Sequence, residues 1–406
     1  MKRWEQIKGH LGTPAGFRGA AAAAGIKKAR GALDLALIFS DAARTTAAGV
    51  FTSNRVAAGP VQLCRRHLVA TRGYSRAVVV NSGNANACTG TAGRKATIET
   101  TRAAARLLGL RPEEVLVAST GVIGVPLRLE RIISQLPALK SKLSRKNAAT
   151  VARAIMTTDT FPKSCALRTK ISGQTVNLAG VAKGAGMIHP RMATMLSFIT
   201  TDAAVAPASL SRLLRAAVEV SFNRVSVDGD TSTNDTVIVL ASGVSGTHVS
   251  WSTKQGAHFL AGLTELCQSL AKMIARDGEG AHKLVTVEVS GARSDADAER
   301  IARAIANSPL VKTAIAGADP NWGRILCAVG YSGAKFDPSR ADIGVNTLCL
   351  CRHGLDAGFD EAAAKRELAH RELTLRVDLH QGRGSARMWT CDLTHDYITI
   401  NASYRT

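Results

Sequence analysis

The sequence predicts an α/β protein, with layered sheets and helices packed outside them. Strand-like and helix-like segments interleave through most of the 406 residues, which is the pattern of a mixed architecture. No repeat at a fixed period is visible, and no long Gly/Ser- or Pro-rich linker divides the chain. At this length the chain exceeds a single ordinary core of roughly 100–200 residues, so two domains or one large layered unit is expected.

Taken in order, residues 78–80 read as a strand that gives way to a turn-rich run, Asn81-Ser82-Gly83-Asn84. A helix follows over 94–110. Residues 115–117 form a short strand ending at Ser119-Thr120-Gly121. A glycine-rich approach then releases into a β-prone run over 194–201. Phe259, Leu260, Leu263, Leu266, Cys267, Leu270, Met273 and Ile274 recur at three-and-four spacing, the buried face of a helix that stops at Asp277-Gly278. Residues 346–352 read as a strand, with Cys349 and Cys351 on one face.

The composition, 46% hydrophobic and 20% charged with 36 Gly and 11 Pro, is that of a folding globular chain. A net charge of +21 would suit nucleic acid or anionic substrates. Aromatics at 4% leave few stacking platforms for single-stranded nucleic acid. The basic residues are also scattered (Lys27, Lys28, Arg65, Arg66, Lys140, Lys142, Arg145, Lys146), as on a solvated basic surface. The eight cysteines include no CxxC pair, which argues against zinc, and they are expected to be buried thiols in a reducing compartment. The first residues lead into no apolar signal region and no stretch is long enough to span a membrane, so a cytoplasmic protein is expected.

The densest motif runs from Gly180 to Leu196: GVAKGAGMIHPRMATML. It is not a nucleotide loop, because Lys183 is followed by Gly184 rather than Ser or Thr. One reading is an ordinary loop entering a buried strand. The other is a backbone bent so that the Thr194 hydroxyl attacks the Ala193 carbonyl, an N-to-O acyl shift completed by hydrolysis. The freed α-amine, with an ordinary pKa near 8, would be neutral often enough near pH 7 to take the hydroxyl proton, so one residue would supply nucleophile and base. The residues alone leave both readings open.

The segment Lys183–Leu196 closely resembles the self-cleavage segment of the ornithine acetyltransferases, the bifunctional glutamate N-acetyltransferases of arginine biosynthesis. The resemblance extends over nearly the whole chain, through Phe51-Thr52-Ser53-Asn54-Arg55-Val56, Asn81-Ser82-Gly83-Asn84-Ala85-Asn86-Ala87, Ser119-Thr120-Gly121-Val122-Ile123-Gly124 and Met156-Thr157-Thr158-Asp159-Thr160. It continues through Ser221-Phe222-Asn223-Arg224, Asp228-Gly229-Asp230-Thr231-Ser232-Thr233-Asn234-Asp235, Asp277-Gly278-Glu279-Gly280-Ala281, Asp319-Pro320-Asn321-Trp322-Gly323-Arg324 and the C-terminal Thr394-His395-Asp396-Tyr397, Asn401 and Tyr404-Arg405-Thr406.

The resemblance implies an N-terminal-nucleophile-like, self-cleaving acyltransferase fold, cut between Ala193 and Thr194 into an α chain of residues 1–193 and a β chain of 194–406, two of each forming an α2β2 heterotetramer. Thr194 would be the nucleophile, with the Thr120 hydroxyl and the Gly121 amide as its oxyanion hole. Thr157 and Lys183 would hold the acetylated amino acid on Thr194, with Lys183 facing its α-carboxylate, and Glu279, Asn401 and Thr406 would complete the pocket. Acetyl would pass from N2-acetylornithine to Thr194 and then to glutamate, with no metal or organic cofactor. Whether acetyl-CoA also serves as a donor stays open.

Asp228, Asp230, Ser232 and Asn234 imitate a calcium loop, but Thr233 stands at its sixth position and Val239 at its twelfth, so a hydrogen-bonded turn near the site is expected. Two residues depart from the family pattern: Arg191 for the usual Asn, which bears on cleavage rate, and His282 where Thr often stands. The same nucleophile with water as acceptor would make an aminopeptidase or amidohydrolase. A basic, non-catalytic relative that binds RNA, with strong salt dependence, is the alternative outside catalysis; neither nucleic acid nor membrane is expected as a partner.

Overall fold

The computed structural model describes residues 3–189 and 195–403. Arg191, Ala193, Thr194 and Thr406, on which parts of the expected mechanism rest, lie outside the described residues.

Three sheets carry the fold, and the layered α/β expectation holds. The first has the spatial order Glu5–Gln6, Lys163–Ile171, Gln174–Lys183, Leu196–Thr201, Thr236–Ala241 and Thr46–Phe51, and its strands Leu196–Thr201 and Thr236–Ala241 are buried on both faces. Side-chain alternation shows why. Along the strand Thr236–Ala241, Val237, Val239 and Ala241 enter one apolar cluster while Ile238 and Leu240 enter another. A strand covered on both sides needs apolar residues at every position rather than at alternate ones. One face packs on the helices Pro207–Glu219 and Lys254–Arg276. The other packs on a four-stranded sheet, Phe17–Ala22, Leu35–Ser40, Ala77–Asn84 and Val115–Val122. Helices Gly59–Ala70, Gly90–Leu108 and Leu129–Lys142 cover that second sheet, giving a helix–sheet–sheet–helix stack.

A third, six-stranded sheet is built entirely from residues 342–391 and the strand Leu284–Ala292. Its core is separate, formed with helices Asp295–Asn307, Pro309–Ala316 and Trp322–Gly330. Among the described residues no helix is long and apolar enough to cross a membrane.

Several sequence expectations need correction. The turn-rich run 81–84 and the segment 119–121 are strand, paired in parallel with Ser82 opposite Thr120 and Gly83 opposite Gly121. Asn and Ser favour turns by bonding to local backbone; here Asn81 instead donates to the Asn84 carbonyl at 2.8 Å and accepts from Ser119 Oγ at 2.6 Å, which keeps the segment extended. The helix expected over 94–110 spans Gly90–Leu108. Its first turn is anchored by Asn86, which donates to Gly93 O and Thr97 Oγ1, and it ends at left-handed Gly109. The helix through Phe259 runs Lys254–Arg276 as patterned, with Cys267 buried and Leu260 and Met273 at the edge of the core. The strand expected over 346–352 is Leu348–Arg352, because Asn346 takes a left-handed turn conformation. Of the cysteines read as buried, Cys88 and Cys327 are exposed and Cys349 is half-buried, since these positions fall on a loop, an exposed helix face and a strand edge rather than in a core.

Candidate active site

A cavity of about 180 Å³ opens between the ends of the first two sheets and the helix His395–Ser403. Thr120, Gly121, Thr157, Lys183, Glu279 and Asn401, spread over nearly 300 positions of sequence, all line it. These are all the expected site residues that the structure describes.

Thr120 and Gly121 sit near the end of the strand Val115–Val122. Gly121 has φ of +126°, and a Cβ there would lie 2.4 Å from the Gly83 carbonyl carbon. Only glycine fits, and its amide is thereby held at the cavity wall. Lys183 ends the strand Gln174–Lys183, is 3% exposed, and its ammonium donates to Thr120 Oγ1 at 3.4 Å. A threonine hydroxyl that accepts from an ammonium keeps its own proton free to donate. Burial lowers the Lys183 ammonium from its ordinary value, opposed by the carboxylates of Asp159, Glu279 and Asp235.

A buried charge network holds these parts. Asp159 accepts from the Thr157 amide at 2.9 Å, the Gly184 amide at 2.7 Å and Lys163 Nζ at 2.6 Å. Lys163, 0% exposed, also donates to Asp277 at 2.5 Å, and Asp277 accepts from the Thr160 amide. Burial alone would raise the Asp159 carboxyl, but Lys183, Lys163 and the Gly184 amide outweigh it and hold it at about 2. Thus two carboxylates bridged by one lysine join the Thr157 loop, the Lys183 strand end and the segment carrying Glu279.

Glu279 lies against Gly186, where a Cβ would come within 2.3 Å of its carboxylate. Its amide donates to Ala185 O, and its carboxylate accepts from Asn401 Nδ2 at 2.8 Å, so the helix His395–Ser403 closes over the cavity. The 228–234 segment is the expected hydrogen-bonded turn. Asp228 accepts the amides of Met187 and Ile188, and Asn234 donates to Ala85 O and Ser119 O, tying the turn to the strand Val115–Val122.

Sequence reasoning gave no role to Lys163 or Asp235. Asp235 is fully buried and accepts from the Met195 amide at 2.9 Å, next in the chain to Thr194. Burial drives its carboxyl well above the usual carboxylate range, against the pull of that amide. Its place at the end of the quoted motif was visible; its partner was not.

A family model described as the ArgJ family matches residues 18–406. The chain belongs to the ArgJ family. It is 51% identical over 404 residues to the arginine biosynthesis bifunctional protein ArgJ of Symbiobacterium thermophilum, covering 99% of this chain and 100% of that one. It is 53% identical over 393 residues to the ArgJ of Geobacter sulfurreducens, covering 96% and 99%. The crystal structure of ArgJ from Bacillus halodurans, 46% identical with a TM-score of 0.51, is matched over 100% of its chain and 52% of this one. As an ArgJ protein this chain is an acyltransferase of arginine biosynthesis, which sets aside the hydrolase and RNA-binding readings that its sequence left open.

Proposed function

We propose that this ArgJ protein cuts itself between Ala193 and Thr194 and then carries acetyl from N2-acetylornithine to glutamate on the Thr194 hydroxyl. The observation that carries the reading is the convergence of Thr120, Gly121, Thr157, Lys183, Glu279 and Asn401 on one cavity, where Lys183 pairs across the sheet with Leu196, two residues after Thr194.

The Thr194 oxygen attacks the acetyl carbonyl while its own amine takes the hydroxyl proton. The oxyanion forms between the Thr120 hydroxyl and the Gly121 amide. Collapse breaks the amide C–N bond, the proton passes to the leaving amine, and ornithine departs. Glutamate's neutral α-amine then attacks the ester, and acetylglutamate leaves as Thr194 regains its proton. Lys183 pairs with the α-carboxylate of each substrate in turn, beside the Thr157 loop, while Glu279, Asn401 and Thr406 close the far side. The chemistry needs no metal or organic cofactor.

A solved family chain that is wholly covered by half of this one supports division of the precursor. The interleaved first sheet supports products that stay together; their assembly as two α and two β chains in the cytoplasm follows the family resemblance.

The test is the intact mass of untagged protein beside Thr194→Ala. Two masses summing to the precursor plus one water, with one product beginning at Thr194, are expected for the wild type and a single uncut mass for the variant. A wild type that stays whole, or acetylornithine consumption as fast without glutamate as with it, overturns the reading.

A further inference from the structure

The cavity of the candidate site has two electrically distinct ends. At one end lies the Lys183 ammonium, on which the carboxylates of Asp159, Glu279 and Asp235 act. At the other lies the Tyr397 hydroxyl, which burial raises above its ordinary value and which the carboxylates of Asp228, Glu279 and Asp230 raise further. Glu279 is the acid common to both, so it stands between a cationic end and an acidic one.

The three acids at the Tyr397 end differ in how far their oxygens are engaged. Asp228 accepts the amides of Met187, Ile188 and Asp230, and the Tyr397 hydroxyl at 3.4 Å. A carboxylate has about four lone-pair sites, so little of Asp228 is left for a ligand. Glu279 accepts from Asn401 Nδ2 at 2.8 Å. The Asp230 carboxylate, among the described residues, accepts no hydrogen bond and makes no ion pair, although it lines the cavity and is exposed. Its position is nonetheless fixed. Gly229, with φ of +84°, turns the chain between the two aspartates, and the Asp230 amide donates back to Asp228 Oδ1 at 3.2 Å.

An amino acid whose α-carboxylate pairs with Lys183 extends its side chain away from the cationic end. The two substrates differ in what that side chain carries: an ammonium in acetylornithine and a carboxylate in glutamate. A carboxylate with no partner of its own attracts the first and repels the second. We propose that Asp230 is a specificity-determining residue, which pairs with the side-chain ammonium of the acetyl donor. The inference rests on the acetyl-transfer reading above and adds to it the group that tells donor from acceptor.

The experiment compares wild type, Asp230→Asn and Asp230→Glu on two donors, N2-acetylornithine and N-acetylnorleucine, whose side chain ends in a methyl group where ornithine carries its ammonium. The ratio of kcat/KM between the two donors does not depend on how much of each preparation is active. The wild-type ratio should favour acetylornithine, and Asp230→Asn should lower it roughly five- to tenfold, the effect of one charged contact at a partly solvated site. Asp230→Glu should restore most of it. For glutamate, kcat/KM should move the other way, rising about twofold in Asp230→Asn as a like charge is removed, whereas damage to the fold would lower it. The Asp230 side chain holds no other part of the described chain, so the change to Asn removes a charge and no structural contact. A wild type that uses both donors equally well, or an Asp230→Asn enzyme with the wild-type ratio, overturns the inference and leaves acetyl transfer standing. A wild type that consumes neither donor overturns both.

Discussion

In the proposed mechanism Thr120 and Gly121 divide one task between a side chain and a backbone. The Gly121 amide is fixed by the close approach of Gly83, and the Thr120 proton is freed by the Lys183 ammonium behind it. Loss of one such donor lowers turnover by about 10²–10³-fold in other acyl-transfer enzymes. Thr120→Val should therefore lower kcat by roughly that factor with KM nearly unchanged. The same change should slow appearance of the cut product, because the cleavage intermediate carries the same oxyanion. Steady-state kinetics on matured protein and a time course of cleavage would check the two effects separately; full activity in Thr120→Val would remove the hydroxyl from the site. At this scale the sequence was most legible where residues are named by a dense motif. Thr120, Lys183 and Glu279 stand in such runs, whereas Lys163 does not. A lysine in the sequence reads as a surface cation; only the fold shows that Lys163 is enclosed between Asp159 and Asp277.

Those two carboxylates give the elements of the site their relative positions. The Thr157 loop, the end of the strand Gln174–Lys183 and the segment after the helix Lys254–Arg276 each contribute to the cavity lining. Lys163 bridges both acids, so Lys163→Met would leave Asp277 without its cation and Asp159 with Lys183 alone. Removing one partner of a buried ion pair costs about 3–5 kcal/mol. The melting midpoint should fall accordingly, and KM for acetylornithine should rise in whatever protein remains folded at lower temperature. An unchanged midpoint would mean that the two acids are held by their amide donors alone. Sequence periodicity located the long helix nearly to its ends because its apolar stripe is a local property. It misread 81–84 and 119–121 because an asparagine or serine looks alike whether it bonds to its own turn or across to a neighbouring strand.

At the scale of the molecule, the proposed chemical division at residue 194 and the physical division into cores do not coincide. The third sheet has its own core and lies wholly after the cut. The first sheet does not respect the cut: Leu196–Thr201 and Thr236–Ala241 lie between Gln174–Lys183 and Thr46–Phe51. No composition shift could reveal this arrangement, because strands from both sides are equally apolar and strand order is set by long-range pairing.

That interleaving gives cleavage a consequence for renaturation. The uncut chain refolds by a unimolecular search, and its yield should not depend on dilution until aggregation intervenes. After the cut, the strands of one product need a sheet whose other strands belong to a different molecule, so recovery becomes bimolecular. Activity regained from denatured mature enzyme should fall as the solution is diluted, while Thr194→Ala regains its native circular dichroism spectrum equally at every dilution. Maturation of this kind would discard the covalent memory of which halves belong together, and the cut protein would then survive only by staying assembled.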